Sequence, residues 1–223
     1  MSDVLILAAT RKSRSQFERS SYLGSSLRRL NDGRIKSAIA YKNARGLPSV
    51  FNRHIAEKNR NRILVFTHDD VWIDDYWLSD RLNEGLQRFD VIGVAGNRRR
   101  APNQSVWAFT PEMRWDAKNL SGVVCHVHVD GEAVSWYGTS GQRCKLLDGV
   151  LIAVSAATLL DRQLRFDNQF AFHFYDLDFC RTAEEHGLKL GTWPIALTHA
   201  SGGSFGSPAW KRALKLYRAK WPD

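Results

Sequence analysis

The sequence predicts an α/β domain: a mostly parallel sheet flanked by helices, with a smaller antiparallel, loop-rich region in its second half. Three observations predict it. Apolar runs of strand length alternate with helical stretches through residues 1–96, the pattern of a parallel sheet covered on both faces. Residues 97–145 change character and become rich in Gly, Trp, Asn and Arg with short alternating runs. The size and balance, 223 residues with 43% hydrophobic and 25% charged, suit a single domain that needs no disulfide or metal to fold.

The elements follow in order. Residues 4–8 form a compact apolar first strand. Residues 13–30 read as a basic helix or loop, closed by the turn chemistry of Asn31-Asp32-Gly33. A second strand covers 35–41, and Pro48 sits in the first turn of a helix reaching about residue 59. Residues 63–66 are the third strand, 75–89 a helix and 91–94 the fourth strand. Within the loop-rich stretch, 122–129 alternates as an antiparallel strand does. A strand over 147–154, a short helix over 156–163, a helix over 174–187, a strand over 188–194 and a closing helix over 208–221 complete the chain.

The charge balance is +9, which favours anionic partners: nucleic acid, an anionic membrane face or small phosphorylated molecules. No run approaches the ~20 apolar residues of a membrane span. The first apolar run is too short, and lacks a preceding positive charge, for a secretory leader. Cys125, Cys144 and Cys180 form no CxxC pair, and their odd number argues against a disulfide framework. A reducing cytoplasm is therefore expected.

Three segments carry chemistry. His68-Asp69-Asp70 ends an apolar strand, where ligands bind in open α/β sheets. Carboxylates there could hold Mg²⁺ or Mn²⁺ against phosphates, or simply cap the next helix. Asp176 and Asp178, two apart at a helix start, do not share a face. One could serve as a general base in a cleft while the other caps or pairs with an arginine. His199-Ala200-Ser201-Gly202-Gly203-Ser204-Phe205-Gly206 is either a loop whose glycines admit a phosphate or a plain flexible loop.

Together and in this order, these segments resemble the GT-A glycosyltransferases of the family-2 type, in particular a short bacterial glycosyltransferase-like branch. Asn43-Ala44-Arg45-Gly46-Leu47-Pro48 with Phe51-Asn52, then residues 65–71 and 147–154, carry the resemblance with them. It implies one GT-A domain, with a nucleotide-binding half over about 1–96 and an acceptor-binding half over about 97–223. It implies a metal-dependent, inverting transfer of a sugar from a nucleotide-diphosphate donor, UDP favoured. The acceptor would be a saccharide or lipid-linked saccharide of bacterial surface polysaccharide synthesis.

By the same resemblance, His68-Asp69-Asp70 takes the place of the family's DxD motif. Asp70 becomes a metal ligand, with His199 completing the Mn²⁺ or Mg²⁺ shell. Asp176 matches the catalytic base, with Tyr175 where the family has glutamate, and Asp148-Gly149 lines the acceptor side. Thr10, Arg11, Asn43, Gly46, Leu47, Asn52, His68 and Asp69 fall where donor contacts are expected. Arg98-Arg99-Arg100 is either a phosphate clamp or a solvated run. The chain is short for the family, which implies that a partner or a second copy, as in a homo-oligomer, completes the acceptor side.

Other features carry plainer readings. His126 and His128 share a strand face, as a half-buried strand or two zinc ligands. Trp210, Leu214, Tyr217 and Trp221 form one helical stripe among basic residues. It either packs on the core or rests on the inner face of a membrane as a peripheral contact. Trp72, Trp77, Trp107, Trp115 and Trp136 flank the cleft in sequence. The runner-up functions are a nucleic-acid binder, not favoured because the arginines are scattered, and a GT-A-like nucleotidyltransferase.

Overall fold

The computed structural model describes residues 2–128, 131–201 and 205–222; the His128 side chain also lies outside it. The chain opens with β1 (Asp3–Ala9), α1 (Arg14–Ser20), α2 (Tyr22–Arg29), β2 (Ile35–Ala40) and α3 (Leu47–Phe51). Next come β3 (Arg62–Thr67), β4 (Val71–Ile73), α4 (Leu78–Arg88), β5 (Val91–Gly93) and β6 (Ala95–Asn97). The middle is a hairpin of β7 (Leu120–His128) and β8 (Gly131–Gly138), then β9 (Arg143–Cys144) and β10 (Leu146–Leu147). The last part holds β11 (Leu151–Ser155), α5 (Ala156–Asp161), α6 (Tyr175–Glu185), β12 (Leu190–Thr192), β13 (Leu197–His199) and α7 (Pro208–Lys220).

The main sheet runs β2-β1-β3-β11-β5-β12-β9. β2, β1 and β3 are mutually parallel, and β12 is parallel to β5. β11 is antiparallel to both β3 and β5, so β5 points the same way as β3, while β9 opposes β12. The sheet is therefore mixed rather than purely parallel: five strands point one way and β11 and β9 the other. Residues 147–154, expected as one strand, are split by Asp148-Gly149-Val150. Before that turn Leu146 and Leu147 pair with β6, and after it Leu151 enters the main sheet against Thr67.

The second sheet runs β10-β6-β7-β13-β4, with β8 on β7. The basic stretch after β1 resolves into two helices because two serines cap it. Ser13 forms a capping box with Gln16, and the Ser21 hydroxyl accepts from the Gly24 N–H at 2.8 Å. Pro48 does sit in the first turn of α3, but that helix stops at Phe51 and short 3₁₀ turns carry the chain to β3. β1, β3 and β11 bury nearly every side chain, which is why they read as continuous apolar runs.

The stripe of α7 faces inward. Tyr217 is buried, and Trp210, Leu214 and Trp221 pack on the core. Lys211, Arg212, Lys215 and Arg218 stay exposed. Among the described residues no helix is long and apolar enough to cross a membrane.

Candidate active site

The chemistry collects where the two sheets meet. His68-Asp69-Asp70 is the link from β3 in the main sheet to β4 in the second. β13 lies antiparallel to β4 with His199 opposite Val71, and the Ala200 N–H donates to the Asp70 carbonyl at 3.0 Å. That register sets His199 beside Asp70. The parallel pairing of β13 with β7 places His126 opposite His199. On the other side, Thr67 faces Leu151 and its hydroxyl donates to the Val150 carbonyl, drawing the Asp148-Gly149 turn against His68.

His68, Asp70 and His199 offer ligand atoms that all lie within 4.8 Å of one another. His199 Nε2 is 3.4 Å from Asp70 Oδ1, a buried oxygen with no hydrogen bond of its own. A buried carboxylate oxygen left without a donor is the position a cation fills. The set of two imidazoles and one carboxylate fits a divalent transition metal such as Mn²⁺. Burial raises the Asp70 carboxyl, but the His199 and His68 rings outweigh it and bring it down to about 2. Burial also lowers His199, but Asp70 more than offsets this, and the net shift is upward. For His68 burial wins and its shift is downward.

Behind the cluster stands α6. Phe174, just before it, has φ 67°, a left-handed conformation uncommon for a bulky residue, held where its ring stacks on Tyr217 at 5.1 Å. The next two residues face the site. Tyr175 lies 2.9 Å from His68 Nε2 and donates to the Gly149 carbonyl at 2.8 Å. Asp176 accepts the Gly149 N–H at 3.0 Å. Burial first, and the Asp148 carboxylate second, push the Asp176 carboxyl up to about 7. Asp178 takes a different role. It is buried and paired with Lys220 and the Trp221 indole, so its partner is a lysine rather than an arginine.

Two adjoining cavities share Ala9, Leu47, Asp69 and Phe172 as lining. The first, about 470 Å³, holds His68, Asp70, Asp148, Asp176 and His199 at one side and many rings at the other. The second, about 530 Å³, takes in Thr10, Arg11, Asn43, Gly46 and Leu47, together with Lys12 and Arg45. The Thr10 hydroxyl donates to Asp69 at 2.5 Å, and Asn43 folds its loop through the Arg45 backbone. Gly46 sits against Ala171, whose Cα is 2.8 Å from where a Cβ would stand.

Other expected positions lie elsewhere. Asn52 lines neither cavity; its side-chain amide clamps the Phe166 backbone in both directions, at 2.8 and 2.9 Å. Gly149 lines neither, and acts through the backbone bonds just described. The arginine run is not a clamp over the cavities: Arg98 donates to the Lys118 carbonyl, Arg99 pairs with Asp116 and Arg100 with Glu184. Of the five tryptophans, Trp107 and Trp115 line the first cavity. Trp72 stacks under Arg29 at 4.8 Å, and Trp77 and Trp136 are exposed. Gly202, Gly203 and Ser204 lie outside the described residues. His126 lines the first cavity with its Nε2 3.0 Å from the Tyr137 hydroxyl; His128 offers no side chain to judge the zinc reading. The sequence assigns no site role to Lys12, Arg45 or Tyr137, because single residues on loops and hairpins carry no spacing signal.

The two sheets, the strand-end cluster and the flanking helices define a mixed α/β fold of the GT-A kind. Compared with solved structures, the chain is similar to the mannosyltransferase PcManGT from Pyrobaculum calidifontis, a structure in complex with GDP-Man and Mn²⁺. That match has a TM-score of 0.53 and 15% identity, and covers 100% of this chain and 67% of that one. The protein A197 from STIV matches at a TM-score of 0.46 and 11% identity, over 87% of this chain and 82% of that one. No protein-family model matches the sequence, and no curated protein matches it.

Proposed function

We propose that the chain is a glycosyltransferase that takes a sugar from a nucleoside-diphosphate donor, with a divalent cation, and inverts the anomeric centre. One observation carries this reading: the His68–Asp70–His199 cluster lines the first of two cavities of opposite character, and Asp69, between His68 and Asp70, lines both. The cavity bearing Arg11, Lys12 and Arg45 suits a diphosphate. The other bears a carboxyl group with a raised pKa and suits an acceptor hydroxyl.

His68, Asp70 and His199 would hold Mn²⁺ or Mg²⁺, which when bound supplies positive charge to the departing diphosphate. The likeness to an enzyme that holds GDP-Man and Mn²⁺ supports this assignment. Arg11, Lys12 and Arg45 are the cations at the donor cavity. Asp176, about half ionised near neutral pH, accepts the acceptor's hydroxyl proton. The acceptor oxygen bonds to the anomeric carbon, and the bond from that carbon to the diphosphate oxygen breaks, its electron pair leaving with the diphosphate. Attack from the face opposite the leaving group inverts the centre. UDP is the carrier that the family resemblance favours, and GDP is the rival that the structural likeness raises.

Thermal unfolding with UDP, GDP, CDP and dTDP, each with and without Mn²⁺, tests the reading. Ligand at 100 times its Kd adds ~2.7 kcal/mol of stability. A shift that needs both one nucleotide and Mn²⁺, and that Asp70→Ala abolishes, is expected. No Mn²⁺-dependent shift with any of the four refutes it.

A further inference from the structure

The first cavity is chemically two-ended. At one end stand the carboxylates and histidines. A line of rings leads away from them: His68 to His199 at 6.0 Å between centroids, and His199 to His126 at 5.8 Å. From His126 the contact passes to the Tyr137 hydroxyl, 3.0 Å from its Nε2. Beyond that hydroxyl the wall is aromatic, and its side-chain polar groups are the Trp107 and Trp115 indole N–H groups and the Ser105 hydroxyl. Trp107 meets Tyr137 edge-on at 5.0 Å, Trp115 lies over it at 5.6 Å, and Phe109 closes on Trp115 at 5.2 Å.

The backbone of this wall is bonded within itself. The Trp107 carbonyl accepts from Asn97 and Gln104, and the Asp116 N–H donates to the Ala108 carbonyl. Thr110 and Phe109 also find backbone partners inside the loop. Asp116, buried and bound by Arg99, Asn97 and Asn119, fixes the loop that presents the rings. The wall therefore offers mainly ring faces, with two indole N–H groups and one serine hydroxyl rather than a set of partners for many hydroxyls.

A free saccharide fits that wall badly. Ring faces stack well on its C–H surface, but each hydroxyl withdrawn from water needs a partner. A molecule with one hydroxyl on an apolar body satisfies both ends. We infer that the acceptor site takes an alcohol whose hydroxyl is carried on a compact, apolar, ring-containing body. The hydroxyl lies at the Asp176 end and the body lies against Trp107, Phe109, Trp115 and Tyr137. A cavity of about 470 Å³ is within the range of small-molecule sites. The inference rests on the glycosyltransferase reading for the step itself: the hydroxyl proton goes to Asp176, its oxygen to the anomeric carbon, and the broken bond's electrons to the nucleoside diphosphate.

Titration calorimetry on the full chain, with 2-naphthol and with maltotriose as probes and with neither nucleotide nor metal, tests it. Wild type should bind 2-naphthol at least ~10-fold more tightly than maltotriose, a difference of ~1.4 kcal/mol. Trp115→Ala should weaken 2-naphthol at least ~10-fold. Trp115 is 49% exposed, so its truncation leaves the core intact, and Trp107→Ala is the second variant. The inference falls if wild type does not bind 2-naphthol, if maltotriose binds as tightly, or if both variants bind 2-naphthol like wild type. Because no donor or Mn²⁺ is present, this result is independent of the nucleotide panel. Failure of the panel with 2-naphthol binding intact removes the transfer reaction and keeps the apolar-alcohol site.

Discussion

His68 Nε2 lies 2.9 Å from the Tyr175 hydroxyl, and that hydroxyl donates its only proton to the Gly149 carbonyl at 2.8 Å. The phenol can therefore only accept from His68, which fixes the proton of the neutral imidazole on Nε2 and leaves Nδ1 with the lone pair. A metal-ligating histidine is commonly oriented this way by its other nitrogen. Tyr175, where the resembling family has a glutamate, thus sets the tautomer of a ligand 107 residues away in sequence.

Tyr175→Phe removes that control with little change of volume. Loss of such an outer partner typically costs ~10–100-fold in metal affinity. The same range is expected for Mn²⁺ in calorimetric titration, with a stability loss of about 1 kcal/mol from the orphaned Gly149 carbonyl. Unchanged Mn²⁺ affinity would remove Tyr175 from the site's machinery.

Asp176 makes a prediction about pH that needs no assay of turnover. Its pKa is raised from 3.8 to about 7, first by burial and then by the charge of Asp148. Between those values the folded chain holds a proton that the unfolded chain has released. Stability from this group is thus full below the unfolded pKa and is lost as pH rises toward about 7. Asp176→Asn keeps an acceptor for the Gly149 N–H and removes the charge. The variant should melt higher than wild type at pH 8, by about 2–4 °C for each kcal/mol regained, and show no gain at pH 4. An equal Tm difference at both pH values would contradict a carboxylate whose charge the fold disfavours.

Gly149 leaves no room for a side chain. A Cβ there would run into the Tyr175 phenol and stand 3.1 Å from the Asp176 Cβ. Gly149→Ala should therefore push α6 away from the turn. Overpacking of this kind costs typically about 1–3 kcal/mol. The expected signature is a lower Tm together with weakened Mn²⁺ binding, since His68 loses its tyrosine. A lower Tm with normal Mn²⁺ affinity would show that α6 shifts as a unit without disturbing the cluster.

How far the sequence reveals this site depends on the range of the interaction. The runs of β1 and β3 are legible because both faces are buried and the chain needs nothing else to say so. His68 and Asp70 are legible because they end such a run. The antiparallel insertion of β11 is not, since strand partners are chosen by contacts far apart in sequence. β13 has three residues, too few for a period, yet its register with β4 is what delivers His199 to Asp70. Asn52 has the residue type of a ligand contact, and only the fold reveals that Phe166 occupies it. The arginine run failed as a clamp for the same reason: Asp116 and Glu184, both distant in sequence, take two of its three charges.

The C-terminal helix is held by one buried carboxylate. Asp178, 1% exposed, accepts from the Trp221 indole at 2.8 Å and from Lys220 at 2.8 Å, and Lys220 also reaches Asp167. Burial raises the Asp178 carboxyl even against these two donors. Lys220→Ala leaves Asp178 with the indole alone, and should cost about 1–3 kcal/mol in urea unfolding. Asp178→Asn removes a charge that burial disfavours and leaves Lys220 with Asp167, so its own loss should be smaller than that of Lys220→Ala. If the pair acts as a unit, the double variant loses less than the sum of the two singles. Additive losses would mean that Lys220 stabilises the chain through Asp167, at the surface, and that α7 is anchored by its aromatic stripe on Phe174 and the core.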